Sequence, residues 1–245
     1  MGKYQIVKSV KMNEGEGAKV NRVFPTNNYN KHHDPFVLMD EFFVEAPAAF
    51  PPHEHRGFEA ISYMLDGSFK HEDNQGNKRE VKKGGIQAFN AGKSIVHSEA
   101  PGEDGLSHGI QLWLKLPEKF KQSDPEYFQV NSKDMKVIEE EGLYSKIVID
   151  NNTPINLHTD LVYKDIKINK DKEYNLKLDN DMLGIVYLLE GKLEIDGKES
   201  IKASESILLN KNDKIKLKSL EKSRFIELKG KPHNENIRIR GSFVE

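Results

Sequence analysis

The chain has 245 residues; 31% are charged, yet the formal net charge is only −2, and there is no cysteine. This balance gives no electrostatic case for a nucleic acid or an anionic membrane as partner, and the lack of cysteine excludes disulfides, thiolate metal sites and cysteine nucleophiles. No stretch approaches the roughly 20 apolar residues of a membrane span, and Met1-Gly2-Lys3-Tyr4-Gln5 opens no apolar run of a signal peptide, so a cytoplasmic protein is expected.

Helical periodicity is scarce, and short apolar runs alternate with turn clusters, which predicts an all-β protein built as a sandwich or barrel. Ala60 to Leu65 reads as a strand, ended by Gly67. Asn74-Gln75-Gly76-Asn77 reads as a hairpin turn, because Gly and Asn tolerate positive φ. Gly84-Gly85 precedes a strand at Ile86 to Phe89, and Gln111 to Leu114 forms another. Pro117 to Tyr127 is polar with a second proline at Pro125, and is the best linker candidate. Beyond it, Tyr187-Leu188-Leu189-Glu190-Gly191 echoes Tyr63-Met64-Leu65-Asp66-Gly67. Lys192 to Ile195 alternates, Asp196-Gly197 makes a tight turn, and Ser206 to Leu209 is strand-like. The echo predicts an internal duplication, hence two domains, 1–120 and 121–245. Lys214-Ile215-Lys216-Leu217-Lys218 is read as a solvated strand face.

Two short pairs carry the chemistry: His53-Glu54-His55 and His97-Ser98-Glu99. On a strand, residues i and i+2 share a face. If the two strands are neighbours, three imidazoles and a carboxylate converge, a set that suits a divalent transition metal such as iron, copper, nickel or zinc. His32 and His33 are adjacent, so they face opposite ways and read as structural. Shifted by the offset of the duplication, His53 and His55 map to Lys177 and Asp179, so the second copy is expected to lack the metal site.

Pro51-Pro52-His53-Glu54-His55-Arg56-Gly57-Phe58-Glu59, with Tyr63 to Gly67, resembles the first metal motif of the pirin family of bicupins. Ala91-Gly92-Lys93-Ser94-Ile95-Val96-His97-Ser98-Glu99 resembles its second. Asp34 to Phe42 and Gln111 to Pro117 also match, so the resemblance covers roughly Asp34 to Tyr127. It implies two tandem cupin domains of double-stranded β-helix (jelly-roll) form, with one metal in the N-terminal domain and a degenerate C-terminal domain. The family's ligands fall on His53, His55, His97 and Glu99. Iron(II) is the first expectation for the metal, with Cu, Ni, Mn, Co or Zn as alternatives.

The resemblance further implies a quercetin 2,3-dioxygenase-like activity on a flavonol or catechol-like substrate with O2; a carboxylate beside the metal is within reach of the substrate hydroxyl, so Glu99 is also expected as the catalytic base. The rival it implies is a non-enzymatic, redox-sensing regulator that binds a protein partner. Gln87 is followed by Ala88 where the family usually has an aromatic, which implies an altered pocket. Glu59 is expected behind the ligands rather than among them. Arg56 is expected to pair a carboxylate at the rim, and Ser98 to point away. His71 is expected to be structural and His108 to lie near the pocket. Gly241 to Glu245 resembles the start of the family's closing motif.

Overall fold

The computed structural model describes residues 4–245; Met1-Gly2-Lys3, part of the N-terminal reading above, lie outside them. Among the described residues, strand follows strand, broken only by two 3-10 turns at Glu118–Phe120 and Ser132–Asp134. The all-β expectation holds. The reason is legible locally: in Lys214–Ser219 the lysines are outward while Ile215 and Leu217 are buried, the period-2 alternation of a half-buried strand. No helix among the described residues is long and apolar enough to cross a membrane.

The chain forms two compact units that interleave in sequence. One comprises Val10–Asp134, Pro154–Thr159 and His233–Glu245; the other comprises, among the described residues, 4–9, Met135–Thr153 and Asp160–Pro232. The sequence reading places a junction at 120/121. Spatially, Pro117 to Tyr127 passes through the 3-10 turn into the strand Glu126–Val130, which pairs with Ile86–Asn90 inside the first of these units.

In that unit the sheet runs Glu126–Val130, Ile86–Asn90, Phe58–Asp73, Leu106–Lys115, Phe36–Glu45, Ala18–Phe24 and Val10–Glu14. The 16-residue strand Phe58–Asp73 serves two layers. Its first half pairs with Ile86–Asn90 and Leu106–Lys115, whereas its last residues pair with Ile95–Pro101. The switch occurs at Gly67, with φ +65° and no room for a Cβ beside the Leu106 carbonyl oxygen. The strand therefore continues past the point where the sequence suggests a break, and it bends there. The Asn74 to Asn77 turn forms as expected, with Gly76 at φ +89°.

The other unit repeats the arrangement. Leu183–Glu190 lies between Glu205–Leu209 and Ser223–Gly230, as Phe58–Asp73 lies between Ile86–Asn90 and Leu106–Lys115. Gly191, like Gly67, has positive φ, and Tyr63 and Tyr187 are both buried. Its core is aliphatic, with Ile166, Val186, Leu188, Leu193, Ile207 and Leu217. Its sheet is completed by Tyr4–Lys8, which pairs with Glu205–Leu209.

Candidate metal centre

The strands Phe50–His55 and Ile95–Pro101 are antiparallel neighbours, with His53 directly opposite His97. The alternation then puts His55 on the same face as His53 and sends Glu54 outward, where Ser94 Oγ donates to it. The imidazoles of His53, His55 and His97 each bring a ring nitrogen within 4.8 Å of the others. Glu99 falls in a second group, with His71 and His97. His71 enters because Phe58–Asp73 flanks Ile95–Pro101 on its other side, with His71 opposite Glu99 and Asp73 opposite His97.

The rings are held in defined tautomers. His53 Nδ1 lies 2.8 Å from the Pro51 carbonyl oxygen and His55 Nδ1 3.1 Å from that of Ser242. A carbonyl only accepts, so each Nδ1 carries the hydrogen and each Nε2 keeps its lone pair. His97 Nε2 then faces His53 Nε2 at 3.1 Å. His53 Nε2 can accept a hydrogen from His97 there, or, with His97 protonated on Nδ1, the two lone pairs can share a cation. The donor set thus fits a transition metal in chemistry as well as in count.

Burial sets the protonation of this cluster. It pushes the His55 imidazole down to about 3, helped by the neighbouring His53. It pushes His97 well below the ordinary range, with His55, His53 and His71 adding to the effect. His71 is lowered by burial, against the opposing effect of its hydrogen bond to the Asp73 carboxylate. Burial raises the Glu99 carboxyl to about 8, although Gln87 Nε2 donates to it at 2.6 Å. Burial thus favours the uncharged imidazole at His55, His71 and His97 and the protonated carboxyl at Glu99.

An aromatic wall backs the histidines. Trp113 meets the His55 ring edge-on at 5.2 Å, and Phe58 and Phe89 flank it at 4.9 and 5.9 Å. In front lies a cavity of about 510 Å³, lined by His53, His55 and Glu99 and by the apolar Leu38, Phe42 and Trp113. Arg22 and Asp40 also line it, joined by two hydrogen bonds of 2.9 and 2.7 Å.

The remaining sequence-singled residues fall as follows. Glu59 is fully buried and accepts from the His158 backbone N–H at 2.6 Å, and it joins neither group of ligands. Arg56 stacks over Phe243 at 4.1 Å and lies 3.8 Å from Glu54. His108 contacts Glu41 at 2.9 Å and stacks on Phe43, and it does not line the cavity. His33 stacks on Phe36, and His32 meets the Val37 carbonyl oxygen. Ala88 is buried on the face opposite Gln87 and Phe89, so a small side chain there does not widen the cavity. Ser242, Gln87 and Asp73 were not singled out as parts of the site. Ser242 acts through its carbonyl, which any residue possesses, and a sequence carries no signal for it.

Comparison with known proteins identifies the lineage. The pirin family model matches residues 17–114, and the model of the pirin C-terminal cupin domain matches residues 163–245. A pirin-like protein of Solanum lycopersicum is 32% identical over 240 residues, covering 95% of this chain and 82% of its own. Among solved structures, a quercetin 2,3-dioxygenase of Acinetobacter baumannii superposes with a TM-score of 0.87 at 24% identity, covering 98% of this chain and 90% of the other. The bacterial pirin YhhW of Escherichia coli, in complex with nickel(II), superposes with a TM-score of 0.77 at 21% identity, covering 94% and 99%. These two likenesses bear on the fold. The chain belongs to the pirin family and consists of two cupin domains in tandem.

Proposed function

We propose that this chain holds one divalent transition metal, iron(II) in the first place, on His53, His55, His97 and Glu99, and catalyses dioxygenation of a flavonol or catechol-like substrate. The observation that carries the reading is the convergence of three imidazoles, two of which have Nδ1 on a carbonyl oxygen and so turn a bare Nε2 towards the third. Glu99 lines the same cavity as His53 and His55, which supports it as the fourth ligand. A quercetin 2,3-dioxygenase and a nickel-binding pirin among the structural relatives support the class of metal and substrate.

The metal would supply Lewis acidity and a template for adjacent substrate oxygens. The chain's own residues do the rest. Leu38, Phe42 and Trp113 offer apolar surface for a planar ring. The same surface excludes water from the reacting atoms. Glu99, once ionised, accepts the proton of the substrate hydroxyl. Gln87 Nε2, donating to Oε1 of Glu99, steadies the carboxylate during that transfer.

The test is oxygen consumption with quercetin by metal-loaded protein, beside Glu99→Gln with its metal content measured in the same sample. Loss of a general base lowers turnover by about 10²–10⁴-fold. Equal turnover by the metal-replete variant removes Glu99 as the base. No turnover by metal-replete wild type with any flavonol or catechol favours the regulatory reading, in which a protein partner senses the centre.

A further inference from the structure

Two of the three converging imidazoles are oriented by carbonyl oxygens, which leave no choice of tautomer. His97 differs. Its Nδ1 faces another imidazole, Nδ1 of His71, at 3.3 Å. Either ring could donate in that contact, and the two choices have opposite consequences. If His97 donates, its Nε2 is bare and can bind a cation. If His71 donates, His97 carries its hydrogen on Nε2 and the cluster loses a ligand.

The choice is made one residue further away. His71 Nε2 lies 3.0 Å from Oδ2 of Asp73, and both side chains are fully buried. The Asp73 carboxylate only accepts, and its other partners are all donors. Oδ1 accepts the backbone N–H groups of Gln75 and Asn77 at 2.9 and 3.0 Å, and Oδ2 accepts Asn77 Nδ2 at 2.8 Å. His71 must therefore place its hydrogen on Nε2, which leaves His71 Nδ1 as acceptor. His71 Nδ1 thereby accepts from His97 Nδ1, the tautomer that bares His97 Nε2; the competing tautomer would spend the hydrogen on His53 Nε2 at 3.1 Å, and a cation held beside those two nitrogens removes that alternative.

We infer that Asp73, the residue that opens the Asn74 to Asn77 hairpin turn, is a positioning residue that sets the metal-binding tautomer of His97 through His71. The inference rests on the metal centre proposed above. It also gives His71 a role beyond packing. Carboxylate–histidine–metal chains are a general device for orienting a ligand; here a second imidazole is inserted into the chain.

Asp73→Asn tests the relay with little steric change. The two backbone N–H groups hold the amide oxygen in the place of Oδ1. The NH2 group then takes the place of Oδ2 and donates to His71, and Asn77 turns its own amide to accept. His71 shifts its hydrogen to Nδ1, and His97 shifts its hydrogen to Nε2. In metal-free full-length protein with 15N-labelled histidine, long-range 1H–15N spectra should show His97 changing tautomer. Metal affinity, read by competition with a chelator using nickel(II), should fall by about 10–100-fold. Asn77→Ala loosens the same turn without touching His71, and should keep the wild-type tautomers and affinity.

An unchanged His97 tautomer in Asp73→Asn overturns the inference. So does an equal loss of affinity in Asn77→Ala, which would make the turn's rigidity the cause. If wild type takes up no metal, the centre itself fails as a reading, while the spectra of the metal-free protein still decide the relay.

Discussion

With Glu99 as the proposed fourth ligand, metal uptake should release a proton. The carboxyl is raised to about 8 because it is fully buried, and a cation can be ligated only by the ionised form. At pH 7.5, a group titrating at about 8 is roughly three-quarters protonated, so binding should release about 0.75 proton from Glu99. An imidazole at the ordinary value of about 6.5 would release only about a tenth of a proton there. His55 and His97 release none, since burial holds both far below the ordinary range. Between pH 7 and 9 the ionised fraction of Glu99 rises about tenfold, and nickel(II) affinity should rise by the same factor. Isothermal titration in two buffers of different ionisation enthalpy at pH 7.5 counts the protons directly. Glu99→Gln should abolish the release and flatten the affinity profile. A release near zero in wild type, or an undiminished release in Glu99→Gln, refutes both the ligand role and the electrostatics behind it.

Three further outcomes are expected. The folded value of Glu99 lies above its ordinary value of 4.5, so the stability Glu99 itself contributes to the metal-free protein is fully present below that value and is lost as pH rises through about 8, whereas the lowered His55 and His97 act in the opposite sense as pH falls; the difference in denaturant midpoint between wild type and Glu99→Gln, compared at pH 5 and 8.5, checks the sign, and it should move in favour of Glu99→Gln at the higher pH. Gly57 has φ +78°, and a Cβ there would overlap the Val244 carbonyl oxygen, so Gly57→Ala should displace the tail that brings the Ser242 carbonyl to His55 and weaken metal binding together with stability, the latter by about 1–3 kcal/mol. Phe89 is buried at 1% exposure and packs against His55, His71 and His97; Phe89→Ala should cost about 3–5 kcal/mol in urea unfolding, and cavity formation is refuted as the cause if Phe89→Leu costs as much.

The sequence by itself determined whatever depends on the two-residue period of a strand. His53 and His55 share a face, Glu54 does not, and Lys216 stays outward while Leu217 is buried. The repeated Tyr-x-Leu-acid-Gly segment likewise marked two equivalent strands, because each segment closes on a glycine at positive φ. Tertiary structure decided which distant segments meet. Tyr4–Lys8 pairs with Glu205–Leu209, and the C-terminal Ser242 lends its carbonyl to His55. It also placed Glu99 beside His71 and Gln87 rather than within the three-imidazole group. Parity fixes the face a side chain takes, but the atom it meets depends on the register and bend of three strands at once. The same holds for the protonation of Glu99 and His97, which is set by the loss of water around them, and dehydration is a property of the packed core rather than of any local run of residues.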